Sequence, residues 1–245
     1  MPEISIDHVT VERTPRDGPP RRLLDDVSLT FPKGFVGSLI GPSGAGKTTA
    51  LRLMNRMIDP TRGELRADGK PMSAWPVAAL RRRVAMVFSE PHLLGRTVEE
   101  NLRLIDPGAD AAQCAGRLED AGLREEFLTR RESELSAGER HRVSLARALM
   151  AAPEMILLDE VTSSLDPRAA TRIIETLRRL HAERHLSILL ASHVFDHVRA
   201  LGGECAVLIG GRVVEQGPTE AIFSNAQEEA TRRYLKGTDT EDGHD

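Results

Sequence analysis

An α/β fold is predicted on three observations. A short apolar strand, Phe35 to Ile40, enters a glycine-rich turn, Gly41 to Gly46, and then a helix, Thr48 to Ile58, which is how a βαβ unit opens. Two more apolar runs, Met155 to Leu158 and Ser187 to Ala191, are continuous rather than alternating and read as buried strands. Between Thr97 and Ala152 the pattern turns helical.

Each element has a local reason. Ile4 to Val11 alternates apolar and polar residues, with a slip near His8, and predicts a half-buried strand. Thr14 to Arg22 holds Pro15, Gly18, Pro19 and Pro20, a turn-rich loop. Leu23 to Phe31 follows as another strand of an N-terminal antiparallel sheet. Leu51, Met54 and Ile58 share one face of the first helix, and Asp59-Pro60 stops it. Val84 to Phe88 is a further apolar strand. Thr97 with Glu100, and Ser136 with Glu139, have capping-box spacing, and Asp110 caps a helix that Gly122 ends. The helix after Ser136 carries Val143, Ala146, Leu149 and Met150 on one side, and Pro153 closes it. Asp166-Pro167 starts a helix with Ile173, Ile174, Leu177 and Leu180 facing the core. Ala206 to Ile209 and Arg212 to Val214 form a hairpin around Gly210-Gly211. Gly237 to Asp245 is polar and acidic, which predicts disorder.

Composition narrows the function. A chain of 245 residues makes one large domain with a substantial core. Net charge is −4, so no nucleic-acid partner is expected. Cys114 and Cys205 sit far apart in no paired motif, which disfavours a disulfide or a cysteine zinc site and favours free thiols in a reducing cytosol. The N-terminus lacks a basic segment followed by an apolar one, and no apolar run approaches the ~18 residues that span a bilayer. Any membrane role therefore comes through a partner.

Gly41-Pro42-Ser43-Gly44-Ala45-Gly46-Lys47-Thr48 is G-x-x-x-x-G-K-[ST], the phosphate-binding loop, with Thr49 following on the helix. Glycines let the backbone turn its N–H groups inward around an anion, and the helix adds its positive end. Lys47, one of only four lysines in an arginine-rich chain, reaches the β- and γ-phosphates as a compact charge. Thr48 offers its hydroxyl to Mg²⁺. Met155 to Leu158 leads into Asp159-Glu160, where one carboxylate suits Mg²⁺ and its neighbour suits the attacking water.

Between these motifs, Leu135-Ser136-Ala137-Gly138-Glu139, followed by Arg140-His141-Arg142-Val143, resembles the signature of ATP-binding-cassette (ABC) ATPases, usually Leu-Ser-Gly-Gly-Gln. The resemblance runs from Ile4 to about Lys236. It adds Val161-Thr162-Ser163-Ser164-Leu165-Asp166 as the D-loop and Ser192-His193 as the switch histidine. It implies a P-loop NTPase (RecA-like) core with an N-terminal antiparallel β-subdomain, over 1–90 and 151–236, and an inserted α-helical subdomain over 91–150, with 237–245 as a tail. It implies ATP and Mg²⁺ as ligands, gripped between the phosphate loop of one copy and Ser136 and Gly138 of the other. Implied roles are general base for Glu160, Mg²⁺ binding for Asp159, γ-phosphate contact for His193 and a link across the dimer for Asp166. Implied partners are a second copy or paired ABC subunit, integral membrane subunits and an external solute-binding protein, at the cytoplasmic face of the cell membrane.

Val213 to Phe223 and Arg52-Leu53-Met54-Asn55-Arg56 resemble importers of phosphate, related anions or amino acids. Transport of a small solute by import is the leading reading. The alternatives are a metal-export type ATPase and a cytosolic ATPase of iron–sulfur assembly. A binding-only scaffold is disfavoured by retention of Lys47, Asp159, Glu160 and His193. His193 and His197 have the helical spacing of a metal pair but no third ligand.

Three positions depart from the family. Ser89 stands where a Gln usually meets Mg²⁺ and water, and it is several ångströms shorter; a bridging water or Glu90 would fill the gap, or coupling is altered. Ala137 replaces a glycine and keeps its N–H. No N-terminal aromatic is present to stack on adenine; either Arg13 or Arg16 stacks its guanidinium there instead, or both are solvated loop arginines and base affinity is weaker.

Overall fold

The computed structural model describes residues 3–14, 18–94 and 97–237. Pro15 of the N-terminal loop and the acidic stretch after Gly237 lie outside them. β1 (Ile4–Arg13) pairs antiparallel with β2 (Arg21–Phe31), and Ile4, Ile6, Val9 and Val11 are buried. The slip foreseen at His8 is a bulge, with a register break between Ile6 and Val9 and φ 48° at His8. β3 (Val36–Ile40) leads through the glycine-rich turn into α1 (Lys47–Met54).

That helix is shorter than predicted. It ends at Met54, not Ile58, because Arg56 takes φ 53° and the Met57 amide turns back to the Arg52 carbonyl at 2.8 Å. The Arg56 guanidinium donates to the carbonyls of Met72 (3.1 Å) and Trp75 (3.0 Å), which fixes the turn from a distant segment. β4 (Arg62–Ala67) and β5 (Lys70–Pro71) complete a four-stranded sheet in the order β2-β1-β4-β5.

The second sheet is built from the rest of the chain. In order come α2 (Val77–Arg83), β6 (Val84–Val87), α3 (Val98–Arg103), α4 (Ala111–Asp120) and α5 (Ala137–Leu149). They are followed by β7 (Met155–Asp159), α6 (Pro167–Arg184), β8 (Ser187–Ala191), α7 (Phe195–Leu201) and β9 (Glu204–Ile209). β10 (Arg212–Pro218), α8 (Thr219–Asn225) and α9 (Glu229–Leu235) close the chain. The sheet order is β10-β9-β3-β8-β7-β6, parallel throughout except for the antiparallel edge strand β10.

The continuous apolar runs follow from burial on both faces. Ile156, Leu158, Ile188 and Leu190 pack with residues of α4, α5 and α6, while Leu157, Leu189 and Ala191 pack with α1 and the N-terminal sheet. The foreseen capping boxes form at Thr97 and Ser136, and Asp110 adds a third with Gln113. Both cysteines are buried and free.

An ion-pair network ties the two sheets. Arg83 grips Glu154 with two nitrogens (2.6 and 3.1 Å), donates to Asp68 (2.8 Å) and lies 4.8 Å over the Trp75 ring. The Arg83 hydrogen bonds outweigh burial and hold the Glu154 carboxyl at about 2, against an ordinary 4.5. Such a depressed group contributes stability that is fully present above pH ~4.5 and is lost as pH falls towards 2. Discounted for partial exposure, the contribution is about 1–2 kcal/mol. Glu154→Gln is therefore expected to lower the urea midpoint at pH 7, with the gap to wild type narrowing steadily from pH 5 to pH 3. A gap that stays constant over that range refutes the assignment.

Candidate phosphate-binding site

The parallel sheet delivers four expected segments to one edge. β8 lies between β3 and β7, and β7 between β8 and β6, so Gly41, Ser89, Glu160 and Ser192-His193 all follow the carboxyl ends of neighbouring strands.

The glycine-rich turn is braced from within and behind. The Ala45 amide donates to the Pro42 carbonyl (3.2 Å), and the Gly211 amide donates to the Ala45 carbonyl (3.2 Å). Gly46 caps α1 with φ 103°, where a Cβ would press within 2.6 Å of the Leu24 side chain. Ser43 and Gly44 are exposed at the tip, and Thr49 is half-buried in the first turn of α1. Lys47 is buried. Its ammonium donates to the carbonyls of Gly41 (2.7 Å) and Pro42 (3.1 Å) and lies 3.5 Å from Glu160 Oε1.

The two carboxylates differ sharply. Asp159 is buried and accepts a hydrogen bond from the Thr48 hydroxyl at 2.8 Å. Burial pushes its carboxyl up, the Thr48 bond opposes this, and the neighbouring Glu160 charge reinforces it. Glu160 has φ 53°, a sparsely populated backbone state for a residue with a side chain. Its amide donates to the Ala191 carbonyl (2.9 Å), and its carbonyl accepts from the Ser163 amide (3.1 Å), which lock that state. Oε2 accepts from the Ser163 hydroxyl and faces His193 Nδ1 at 2.7 Å. Burial alone would raise the Glu160 carboxyl, but the bonds from Ser163 and His193 and the Lys47 charge outweigh it and hold it below the ordinary range.

The remaining candidates are placed as follows. Ser136 is exposed at the start of α5, accepts from the Glu139 amide (3.3 Å) and donates its own amide to Glu139 (2.8 Å). Ala137 does not take a positive φ, so the missing glycine is not needed for backbone geometry. Gly138 is buried beside Ala169 of α6. No hydrogen bond among the described residues joins this turn to the phosphate loop of the same chain. Asp166 caps α6, accepting from the amides of Arg168 and Ala169, both at 3.0 Å. Arg13 is exposed at the end of β1, and Arg16 lies outside the described residues.

Ser89 is exposed, and its hydroxyl makes no hydrogen bond to Thr48 or Asp159. Its carbonyl instead meets His141 Nε2 at 3.0 Å, while His141 Nδ1 meets the Ala137 carbonyl at 3.0 Å. Two departures from the expected motifs, Ser89 and Ala137, are thus joined by one buried ring. Sequence reasoning assigned His141 no role, although its i,i+4 spacing from Ala137 was readable. Ser163 is legible only as part of the D-loop segment, and its hydroxyl bond to Glu160 has no sequence signal. His193 and His197 do not converge, since His197 Nδ1 pairs with the Thr162 hydroxyl at 2.9 Å. Among the described residues no group of three or more His, Cys, Asp or Glu could hold a metal on its own.

The fold and this edge define the class: a nucleotide-binding domain of the phosphate-loop type. The ABC transporter family profile matches residues 24–163. The chain belongs to the ABC transporter family. It is 39% identical over 224 residues to the methionine import ATP-binding protein MetN of Rhizobium meliloti (strain 1021), covering 87% of this chain and 62% of that protein. It is 35% identical to the putative ABC transporter ATP-binding protein YjkB of Bacillus subtilis (strain 168), covering 91% of this chain and 90% of that protein. Among solved structures, the dimeric post-hydrolysis state of the ATP-binding cassette MJ0796, bound to ADP and Pi, superposes with a TM-score of 0.78 at 26% identity, covering 88% of this chain and 98% of that one. The chain spans about three fifths to seven tenths of the length of the methionine-import relatives it matches. No helix among the described residues is long and apolar enough to cross a membrane.

Proposed function

We propose that this chain binds and hydrolyses ATP to power import of a small solute, as one of two ABC subunits docked on integral membrane subunits at the cytoplasmic face of a membrane. Likeness to methionine import ATP-binding proteins favours an amino acid as the solute, and an external solute-binding protein is the further partner that import of this kind would use. The observation that carries the reading is the strained Glu160, held between Lys47 and His193 beside the Thr48–Asp159 pair.

In this reading Lys47 exchanges its two loop carbonyls for the β- and γ-phosphates, a stronger, charge-assisted set of acceptors. The Thr48 hydroxyl and the buried Asp159 carboxylate fit a hard divalent cation, being oxygen donors lacking a full counter-charge. Mg²⁺ held there would neutralise phosphate charge as the leaving group departs. Glu160, kept ionised by its surroundings, orients water for in-line attack and takes its proton. His193 holds Glu160 from the solvent side and meets the γ-phosphate. Ser136 and the first amides of α5 serve the ATP of the partner copy, a suitable task for a capped helix start.

Phosphate release from ATP by the purified chain tests this. Turnover is expected with Mg²⁺, is lost in excess EDTA and returns when Mg²⁺ is restored. Equal turnover in EDTA overturns the reading.

A further inference from the structure

The base of the phosphate loop is clamped by a residue 193 positions away. The Gly41 amide donates to the Tyr234 hydroxyl of α9 at 3.1 Å, in a buried setting. The Gly41 carbonyl accepts the Lys47 ammonium at 2.7 Å. On a third side the Leu208 carbonyl of β9 crowds Gly41 so closely that a Cβ, at φ 154°, would come within 2.0 Å of it. Gly41 therefore has no freedom to seek another partner for its amide.

The same tyrosine ring also braces the other side of the site. It meets Phe195 edge-on with centroids 5.3 Å apart, and Phe195 meets Phe223 at 5.4 Å. Phe195 opens α7, two residues after His193. One side chain thus backs both the loop that carries Lys47 and the turn that carries His193, the two nitrogen-bearing side chains that face the Glu160 carboxylate. Burial, above the opposing Gly41 bond, pushes the phenol up to about 12, so the hydroxyl stays neutral at working pH.

We propose that Tyr234 is a positioning residue of the nucleotide site: its hydroxyl fixes the base of the phosphate loop, and with it the stance of Lys47. This rests on the reading of that loop as the ATP site. The prediction separates hydroxyl from ring. Tyr234→Phe keeps the aromatic packing but leaves a buried amide without its acceptor, which weakens the loop by roughly threefold to tenfold in nucleotide affinity.

Equilibrium titration with the fluorescent analogue mant-ATP and Mg²⁺, thermal unfolding and steady-state ATP turnover make the test. For Tyr234→Phe the dissociation constant is expected to rise about threefold to tenfold, KM to rise in parallel, and kcat at saturating ATP to hold within about twofold. Phe223→Leu loosens the same ring cluster without touching Gly41; it is expected to lower the unfolding temperature and leave affinity unchanged. Unchanged affinity in Tyr234→Phe overturns the proposal, and so does an equal affinity loss in Phe223→Leu, which would make the effect one of packing. Failure of the underlying reading looks different: the wild type itself then shows no mant-ATP binding sensitive to Lys47→Ala.

Discussion

Glu160→Gln is expected to lower kcat for ATP hydrolysis by about a hundredfold to ten-thousandfold, the usual range for loss of a positioned general base. The substitution conserves shape. A glutamine oxygen still accepts from the Ser163 hydroxyl and from His193, the bonds that orient the native side chain. The amide N–H of residue 160 still reaches the Ala191 carbonyl, so the unusual backbone at the end of β7 persists. What disappears is the negative charge that, in the proposed mechanism, aligns water and receives its proton. Affinity for ATP should hold or improve slightly, because a carboxylate that repels the γ-phosphate is gone. Phosphate-release kinetics measured beside mant-ATP titration separate the two quantities. Turnover within twofold of wild type would remove Glu160 from the role of base.

Lys47→Ala is expected to act on binding instead. The ammonium makes two short contacts to loop carbonyls now and would make comparable charge-assisted contacts to two phosphates, each typically worth about 1.5–3 kcal/mol. Their loss raises the ATP dissociation constant by about two to four orders of magnitude. A second effect follows in the free protein. Lys47 helps hold the Glu160 carboxyl below its ordinary range, so the carboxyl drifts upward once that charge is gone. Lys47→Arg should not restore affinity, since a planar guanidinium does not fit the buried slot between Gly41, Pro42 and Glu160. Titration calorimetry of both variants checks this; affinity within threefold of wild type for Lys47→Ala contradicts the account.

The legible parts of the fold are those with local causes. β7 and β8 read as buried strands because both faces of the sheet are covered, leaving no polar alternation. α3, α4, α5 and α6 announce themselves through side-chain caps at Thr97, Asp110, Ser136 and Asp166. β4 was invisible because Arg62-Gly63-Glu64-Leu65-Arg66-Ala67 buries only Leu65 and Ala67 and is a strand by virtue of pairing with β1. The early end of α1 was hidden for a similar reason. Asp59-Pro60 is a real stop signal, but Arg56 stops the helix first, by bonding to carbonyls sixteen and nineteen positions along.

The candidate site divides in the same way. Lys47 and Thr48 stand in a motif that spacing alone picks out, Asp159 and Glu160 end an apolar run beside it, and His193 enters only through the resemblance to ABC ATPases. The left-handed backbone of Glu160 has no sequence signal, because it is imposed by the Ala191 carbonyl and the Ser163 amide after folding. Tyr234 lies far down the chain in a helix that composition does not mark, and only the sheet topology brings its hydroxyl to Gly41. His141 joins the Ser89 turn to α5 through two backbone carbonyls, a contact that depends on tertiary placement rather than residue pattern.

Sedimentation velocity of Glu160→Gln, with and without Mg²⁺-ATP, bears most directly on shared nucleotide binding between two copies. The variant should sediment as a monomer alone and as a stable dimer once ATP is added, reverting when nucleotide is removed. A species that stays monomeric at saturating ATP, while still binding it, would contradict a site completed by Ser136 of a second chain.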